Sequence, residues 1–194
     1  MKTKQIDRRE ALRKTVLIMG SALSAPTIMG ILDGCSVSNE PDWIPDLFDN
    51  DQAIMISEIS EIMIPATGTP GARDVGVPKF IESMIRDVYS EEDRNIFMEG
   101  MTSFNSNAEK EYGRVFIELN PEQKLEFVKN RNDDAIINSD NYDILPFILT
   151  VKELTVGGFC TSKAGATQVL KYDKVPGEYH GCIPYEEVGK QWAT

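Results

Sequence analysis

The stretch DNYDILPFILTVKELTVGGFCTS, residues 140–162, is the most apolar part of the chain that follows its first 35 residues. Its length and apolar content predict a buried helix at the centre of the fold. Gly157 and Gly158 predict the end of that helix, because glycine is common where helices stop. The rest of the fold can be read as the elements that cover this helix.

Four further segments show helical periodicity: 49–65, 77–89, 90–113 and 120–134. Each has a recognisable start or stop, from a polar N-cap or a proline at the first turn. The residues that carry these signals are Asp49 or Asn50, Pro65, Pro78, Ser90, Asn120 and Pro121. In the last segment, Leu125 and Val128 are expected to face inward.

No stretch alternates apolar and polar residues as a strand would. The sequence therefore predicts an all-α fold, a compact bundle of about five helices followed by a long irregular C-terminal segment. That segment is too aromatic to be disordered, so it is expected to lie against its own helices or against another protein. Its aromatic residues are Tyr172, Tyr179, Tyr185 and Trp192.

The charge balance excludes some partners. The formal net charge is −11, which argues against nucleic acid and against electrostatic docking of the folded part on anionic lipid. The first 35 residues differ, with six basic and three acidic side chains, so the remainder carries a net charge of −14. Residues 1–35, the leader, are thus net basic, whereas the folded part is strongly acidic.

Residues 1–35 are interpreted as an export signal, with a basic region that ends at Lys14 and an apolar run over 15–32. The adjacent Arg8 and Arg9, followed by Leu12, resemble the twin-arginine signal, which exports proteins already folded. The alternative is an ordinary secretory signal that contains two arginines. Either signal places the folded part in the periplasm or cell envelope.

The sequence ILDGC, residues 31–35, resembles a lipoprotein cleavage box with Cys35 as the lipid-bearing residue. The alternative is an uncleaved apolar helix of 18 residues, at the lower limit for a membrane span. Membrane attachment is thus expected only through the leader or its lipid. Residues 36–48 are interpreted as a linker, and residues 49–194 as a single helical domain.

The motifs of common enzymes are missing from the sequence, which contains no glycine-rich dinucleotide fingerprint and no phosphate-binding loop. The only histidine, His180, stands two residues before Cys182 in KVPGEYHGC, residues 174–182. In an oxidising compartment a cysteine is more often paired in a disulfide than kept as a free nucleophilic thiol, which disfavours a catalytic pair. No catalytic residue and no metal site are predicted.

Cys160 and Cys182 form an even pair if Cys35 is acylated or removed. In an exported protein this predicts a disulfide across 22 residues, which would stabilise the fold by about 3 kcal/mol. It would attach the C-terminal segment to the end of the central helix. The alternative is two thiols too far apart to bridge.

Three segments together resemble the gluconate 2-dehydrogenase subunit 3 family. They are IMIPATGTPGARDVGVPKFIESMI at 62–85, LTVGGFCTSKAG at 154–165 and LKYDKVPGEYHGC at 170–182. The resemblance covers nearly the whole chain after the leader. Gly68 departs from the family pattern, which often has aspartate there, and Cys160 interrupts the family's second motif.

The resemblance implies a small accessory subunit of a membrane-associated, FAD-dependent sugar or sugar-acid dehydrogenase. In such complexes the large subunit, of the glucose–methanol–choline oxidoreductase type, carries the FAD and the chemistry, and a cytochrome c often accepts the electrons. This chain would hold no cofactor; it would bind the large subunit and escort it through the twin-arginine route. The residues expected to dock on the partner are Pro176, Gly177, Tyr179, His180 and Trp192.

Two other functions stay open from the residues alone. One is a free-standing envelope lipoprotein that binds a ligand or scaffolds other proteins. The other is a hydrolase or redox enzyme that uses Cys182 and His180. The first predicts a stable monomer without a partner, and the second predicts activity in the isolated chain.

Overall fold

The structure, a computed structural model, describes residues 41–138, 144–175, 177–178 and 182–193. Five long helices account for most of these ranges: α1 (Asn50–Met63), α2 (Val77–Asp87), α3 (Glu91–Tyr112), α4 (Pro121–Ile137) and α5 (Phe147–Thr161). A 3₁₀ turn (Phe116–Glu118), a π-helical turn (Gly165–Val169) and the one-turn helix α6 (Tyr185–Val188) complete the elements. The predicted all-α fold with an irregular C-terminal segment is confirmed.

The predicted caps explain where the helices begin. The Asp49 and Asn120 side chains accept hydrogen bonds from the backbone N–H groups of Gln52 and Gln123, and both glutamines bond back, so α1 and α4 start with capping boxes. Ser90 caps α3 in the same way by accepting from the Asp93 N–H. Hydrogen bonds between residues three positions apart thus determine where these three helices begin.

Helix α5 is the centre of the bundle, as predicted, and it contacts α1, α2, α3 and α4. Its side chains Ile148, Val151 and Phe159 are buried, and Thr155 is fully enclosed. A cluster of phenylalanine rings joins α5 to α3: the ring centroid of Phe147 on α5 lies 5.1 Å from that of Phe97 and 5.4 Å from that of Phe104. Burial of this apolar surface is the main source of stability.

The predicted end of α5 at Gly157 and Gly158 is wrong, because the helix continues to Thr161. Both glycines keep helical backbone conformations, and Gly158 has a packing role instead. A Cβ atom there would lie 2.6 Å from Cδ1 of Phe80 on α2, so only glycine allows the two helices to approach this closely. Ser162 caps the end of the helix, and its hydroxyl donates to the Phe159 carbonyl.

Helix α4 faces inward with Val128, as predicted, but not with Leu125. Phe127 and Val128 are buried, whereas Leu125 is 56% exposed, so its predicted inward position is wrong. Each helical residue advances by about 100°, which puts Leu125 roughly 110° from the middle of the buried pair. The result is an exposed leucine on the flank of α4.

Candidate functional site

The C-terminal segment is closed into a loop by its own backbone. The Lys171 N–H donates to the Gln191 carbonyl at 2.8 Å, and the Ala193 N–H donates to the Lys171 carbonyl at 2.8 Å. These bonds form an isolated parallel bridge between Lys171 and Trp192. The Lys171 ammonium also lies 4.4 Å from the centre of the Trp192 ring, a cation–π contact.

The described side chains of this loop are exposed or half-buried. No described residue between 170 and 193 is buried, although the segment is rich in large apolar groups. Tyr185 is 64% exposed and Trp192 is 42% exposed even with Lys171 against its ring. The other exposed large apolar side chains of the segment are Tyr172, Val175 and Ile183.

Of the two alternatives for the aromatic segment, packing against its own helices does not describe the structure. The segment adds almost nothing to the hydrophobic core, which is built from earlier residues. Exposed aromatic and aliphatic groups gathered on one segment are typical of a surface that binds another protein. The loop 171–193 is therefore the leading candidate docking surface.

The predicted docking residues lie in or beside this loop, but only two of the five are described. Trp192 is part of the bridge, and Gly177 is exposed with open space around its Cα. Pro176, Tyr179 and His180 lie outside the described residues. Their contact role stays a prediction.

The two cysteines behave as separate thiols. Cys160 is half-buried near the end of α5, Cys182 is exposed, and both are free. The predicted disulfide is therefore not formed in the structure. The Lys171–Trp192 bridge closes the C-terminal segment on itself and does not attach it to α5.

A second exposed feature is the loop between α1 and α2, within the first segment that resembles the family. The Glu61 carboxylate at the end of α1 accepts hydrogen bonds from the Ala66 N–H at 2.9 Å and from the Arg73 N–H at 3.0 Å. Gly71 is needed here, because a Cβ atom would lie 2.4 Å from a Glu61 oxygen. These Glu61 hydrogen bonds hold residues 65–68 as an exposed tip of the loop.

A buried polar contact joins the N-terminal segment to α2. Glu82 is only 3% exposed. One of its oxygens accepts from three consecutive backbone N–H groups, those of residues 46, 47 and 48, at 2.8–3.0 Å. The other oxygen accepts from the Trp43 indole at 2.5 Å. The second half of the predicted linker is thus fastened to the helices.

The electrostatics of this contact explain how a carboxylate can be buried there. Burial by itself would raise the pKa of Glu82, but the hydrogen bonds from Phe48, Trp43, Leu47 and Asp46 act against it and together lower the pKa. Four N–H donors stabilise the ionised form. We call this arrangement the Glu82 clasp.

Sequence reasoning missed the Glu82 clasp, although one signal was present. Glu82 stands between Ile81 and Ile85 on a helix whose other buried residues are apolar, so a charge falls on the buried face. A charge in that position needs a donor partner. The sequence does not show that the donors come from a segment more than 30 residues earlier.

The described residues hold no cluster of three or more histidine, cysteine, aspartate or glutamate side chains that could bind a metal ion. In the same residues no helix is both long and apolar enough to cross a membrane. Four surface cavities in this part of the chain have volumes of about 200 to 300 Å³. Arg8, Arg9 and Cys35 lie outside the described residues.

Comparison with protein families gives a match over residues 50–177 to the model described as gluconate 2-dehydrogenase subunit 3. The chain belongs to this family. The resemblance seen in the three sequence segments is confirmed. The match includes all five long helices and the start of the C-terminal segment, whereas Trp43 and residues 178–193 lie outside it.

Neither the search of curated proteins nor the search of solved structures returned a match. The family name describes an accessory subunit of an oxidoreductase complex, gluconate 2-dehydrogenase. A subunit needs a surface for its partner, which gives the exposed C-terminal loop its functional context.

Proposed function

We propose that this chain is the non-catalytic accessory subunit of an exported FAD-dependent sugar or sugar-acid dehydrogenase. It binds the large flavoprotein subunit, of the glucose–methanol–choline oxidoreductase type, and escorts it through the twin-arginine pathway. FAD and the reacting groups belong to the flavoprotein. A cytochrome c subunit is the expected electron acceptor. The proposal rests on membership of the subunit 3 family together with the exposed C-terminal loop.

The exposed loop is the observation that carries the binding role. Leaving Tyr185 and Trp192 in water forgoes the hydrophobic stabilisation that aromatic side chains give when they are buried. The backbone bridge between Lys171 and Trp192 joins the two ends of the loop before any partner arrives. Such preorganisation lowers the entropic cost of binding.

The leader supports the escort role. Arg8 and Arg9 resemble a signal for folded cargo, and a small protein without a cofactor motif has little need of that route for itself. A flavoprotein must fold around FAD before export, so a bound subunit that carries the signal would export it. The proposed location is the periplasm or cell envelope, with Cys35 as the lipid anchor.

The binding role is tested by co-expressing this chain with the flavoprotein encoded beside it and purifying through a tag on this chain. We expect a yellow complex with flavin absorbance from the wild type and a reduced yield from Tyr185→Ser with Trp192→Ser. Val88→Ser is the matched control, since Val88, directly after the end of α2, is 65% exposed and far along the chain from the loop. A colourless monomer from the wild type would instead favour the free-standing envelope lipoprotein.

The escort role has a separate test. Changing both Arg8 and Arg9 to lysine keeps the charge of the leader but removes the paired guanidinium groups. We expect dehydrogenase activity to remain in the cytoplasm of cells that carry this variant, with the complex still assembled. Unchanged activity in the periplasm would refute the escort role and leave the binding role intact.

A further inference from the structure

An apolar groove lies at a second place on the surface, where the end of α1 meets α4 and α5. Its volume is about 250 Å³. Its lining is mostly apolar and includes three polar side chains. The lining residues are Ile62, Met63, Ile64, Leu125, Val128, Lys129, Asn132, Lys152 and Val156.

The groove leaves aliphatic groups from two helices in water at the same spot. Leu125 on α4 is 56% exposed and Val156 on α5 is 46% exposed, while Val128 between them is buried. Single exposed aliphatic residues are common on protein surfaces. Several of them lining one concave surface are typical of a binding site.

The charges around the groove differ in sign from those of the chain as a whole. Lys129 and Lys152 are the charged residues of its lining, and no carboxylate lines it, although the chain has a net charge of −11. The Lys152 ammonium donates to the Asn132 side-chain oxygen at 2.9 Å. Within the described part of the chain, neither lysine forms an ion pair. The groove is therefore a basic, apolar site on an acidic protein.

We propose that this groove binds a segment of the flavoprotein partner that presents aliphatic side chains flanked by a carboxylate. This inference rests on the proposed function and adds a second contact surface to the C-terminal loop. The aliphatic groups would cover Leu125 and Val156, and the carboxylate would pair with Lys129 or Lys152. Charge complementarity of this kind favours association and selects the partner.

The charges also argue against a second copy of this chain as the occupant. Two copies that met through the groove about a two-fold axis would bring Lys129 and Lys152 of one copy against the same residues of the other. Both copies also carry a net charge of −11, so they repel at longer range. A partner with a local acidic patch fits the groove better.

The apolar half of the inference is tested with purified flavoprotein titrated against this chain. Val156→Asp places a charge in the groove, and we expect it to weaken binding at least about tenfold, as for a residue at the centre of an interface. Val88→Asp is the matched control, because it makes the same change at another exposed valine. Circular dichroism spectra and melting temperatures of both variants should match the wild type, since neither side chain is buried.

The charged half is tested by Lys129→Glu, with Lys110→Glu as the control for net charge, since both lysines are exposed. We expect Lys129→Glu to slow association and to reduce the dependence of the binding rate on salt. Lys110→Glu should change both quantities much less. Equal effects of the two variants would show that only the overall charge matters and would overturn the inference.

The outcomes separate this inference from the proposed function. If the wild-type chain does not bind the flavoprotein, the proposed function fails. If the wild type binds and both groove variants bind equally well, the proposed function stands and the groove proposal is overturned. Dimerisation of the isolated chain that is lost in Val156→Asp would identify a second copy as the occupant and would also overturn it.

Discussion

Replacement of Glu82 by glutamine tests the clasp that fastens the N-terminal segment to α2. Glutamine has nearly the shape of glutamate, so the packing is kept while the charge and one acceptor oxygen are lost. Its amide NH₂ must then face either the Trp43 indole or the three backbone N–H groups of residues 46–48. In either orientation the amide NH₂, a donor, faces another N–H donor, and a hydrogen bond is lost.

The expected loss of stability follows from the number of bonds affected. If the NH₂ group faces the indole, one hydrogen bond to a charged acceptor is lost and three others become bonds to a neutral one. A hydrogen bond to a charged group contributes about 1.5 to 3 kcal/mol, and a neutral one about 1 kcal/mol. The four bonds share one carboxylate and a neutral amide costs less to bury than a charge, so these contributions do not add in full. We therefore expect Glu82→Gln to lower the free energy of unfolding by roughly 2 to 4 kcal/mol at neutral pH.

The pH dependence gives an independent check. The pKa of Glu82 in the fold lies below its ordinary value of 4.5, so in acid the unfolded chain binds a proton more readily than the folded one. The stabilisation by the clasp is thus complete well above pH 4.5 and is lost as the pH falls through the pKa in the fold. Glutamine does not titrate, so the difference between wild type and variant should shrink in acid.

Urea unfolding followed by circular dichroism at pH 7 and at about pH 3 measures both effects. Glu99→Gln on the exposed face of α3 serves as the control and should leave stability unchanged. Hydrogen exchange should also show faster exchange at the amides of residues 46–48 in Glu82→Gln. A stability loss below about 0.5 kcal/mol, or one that is the same at both pH values, would refute the account of the clasp.

Three further sets of variants test the helix packing, a buried ion pair and a free thiol. Gly158→Ala should lower the free energy of unfolding by about 1 to 3 kcal/mol, because its methyl group meets a ring on α2, whereas Gly157→Ala, with open space around it, should raise that free energy by about 0.5 to 1 kcal/mol. Equal effects in urea unfolding would contradict the close approach of the helices. Lys124→Met should lower the free energy of unfolding by about 3 to 5 kcal/mol, because it leaves the largely buried Glu58 carboxylate without its partner at 2.7 Å. The double variant with Glu58→Leu should recover most of this loss, and additive effects of the two substitutions would argue against the ion pair. Cys182→Ser should leave the melting temperature unchanged, since the thiol is free, and a drop that reducing agent reproduces in the wild type would argue for a disulfide instead.

Features set by neighbouring residues could be predicted from the sequence. Asp49, Ser90 and Asn120 start their helices through bonds to amides three residues later, so a short stretch of sequence is sufficient to place them. The central position of α5 follows from its apolar content alone. The family could also be recognised, because its motifs are local.

Features set by distant residues could not be predicted. Whether Gly158 ends the helix or admits a neighbour depends on Phe80, which is far away in the sequence. The exposure of Leu125 depends on which face of α4 the bundle accepts. Two cysteines form a disulfide only if the fold brings them together, and their number does not decide this.

The candidate site was predicted in part. The aromatic composition pointed to the C-terminal segment as a contact surface, and the structure leaves its described aromatic residues exposed. The Glu82 clasp and the α1–α4–α5 groove were not foreseen, since each combines residues from separate elements. Both can be found only when the three-dimensional arrangement is known.

The central claim is that this chain binds a flavoprotein and does no chemistry itself. The most direct test is the ratio of flavin to protein in material purified through a tag on this chain, after co-expression with the flavoprotein encoded beside it. The account predicts one FAD for each pair of subunits and dehydrogenase activity in the complex, with neither in this chain alone. A chain that purifies as a colourless monomer in the presence of the flavoprotein would contradict it.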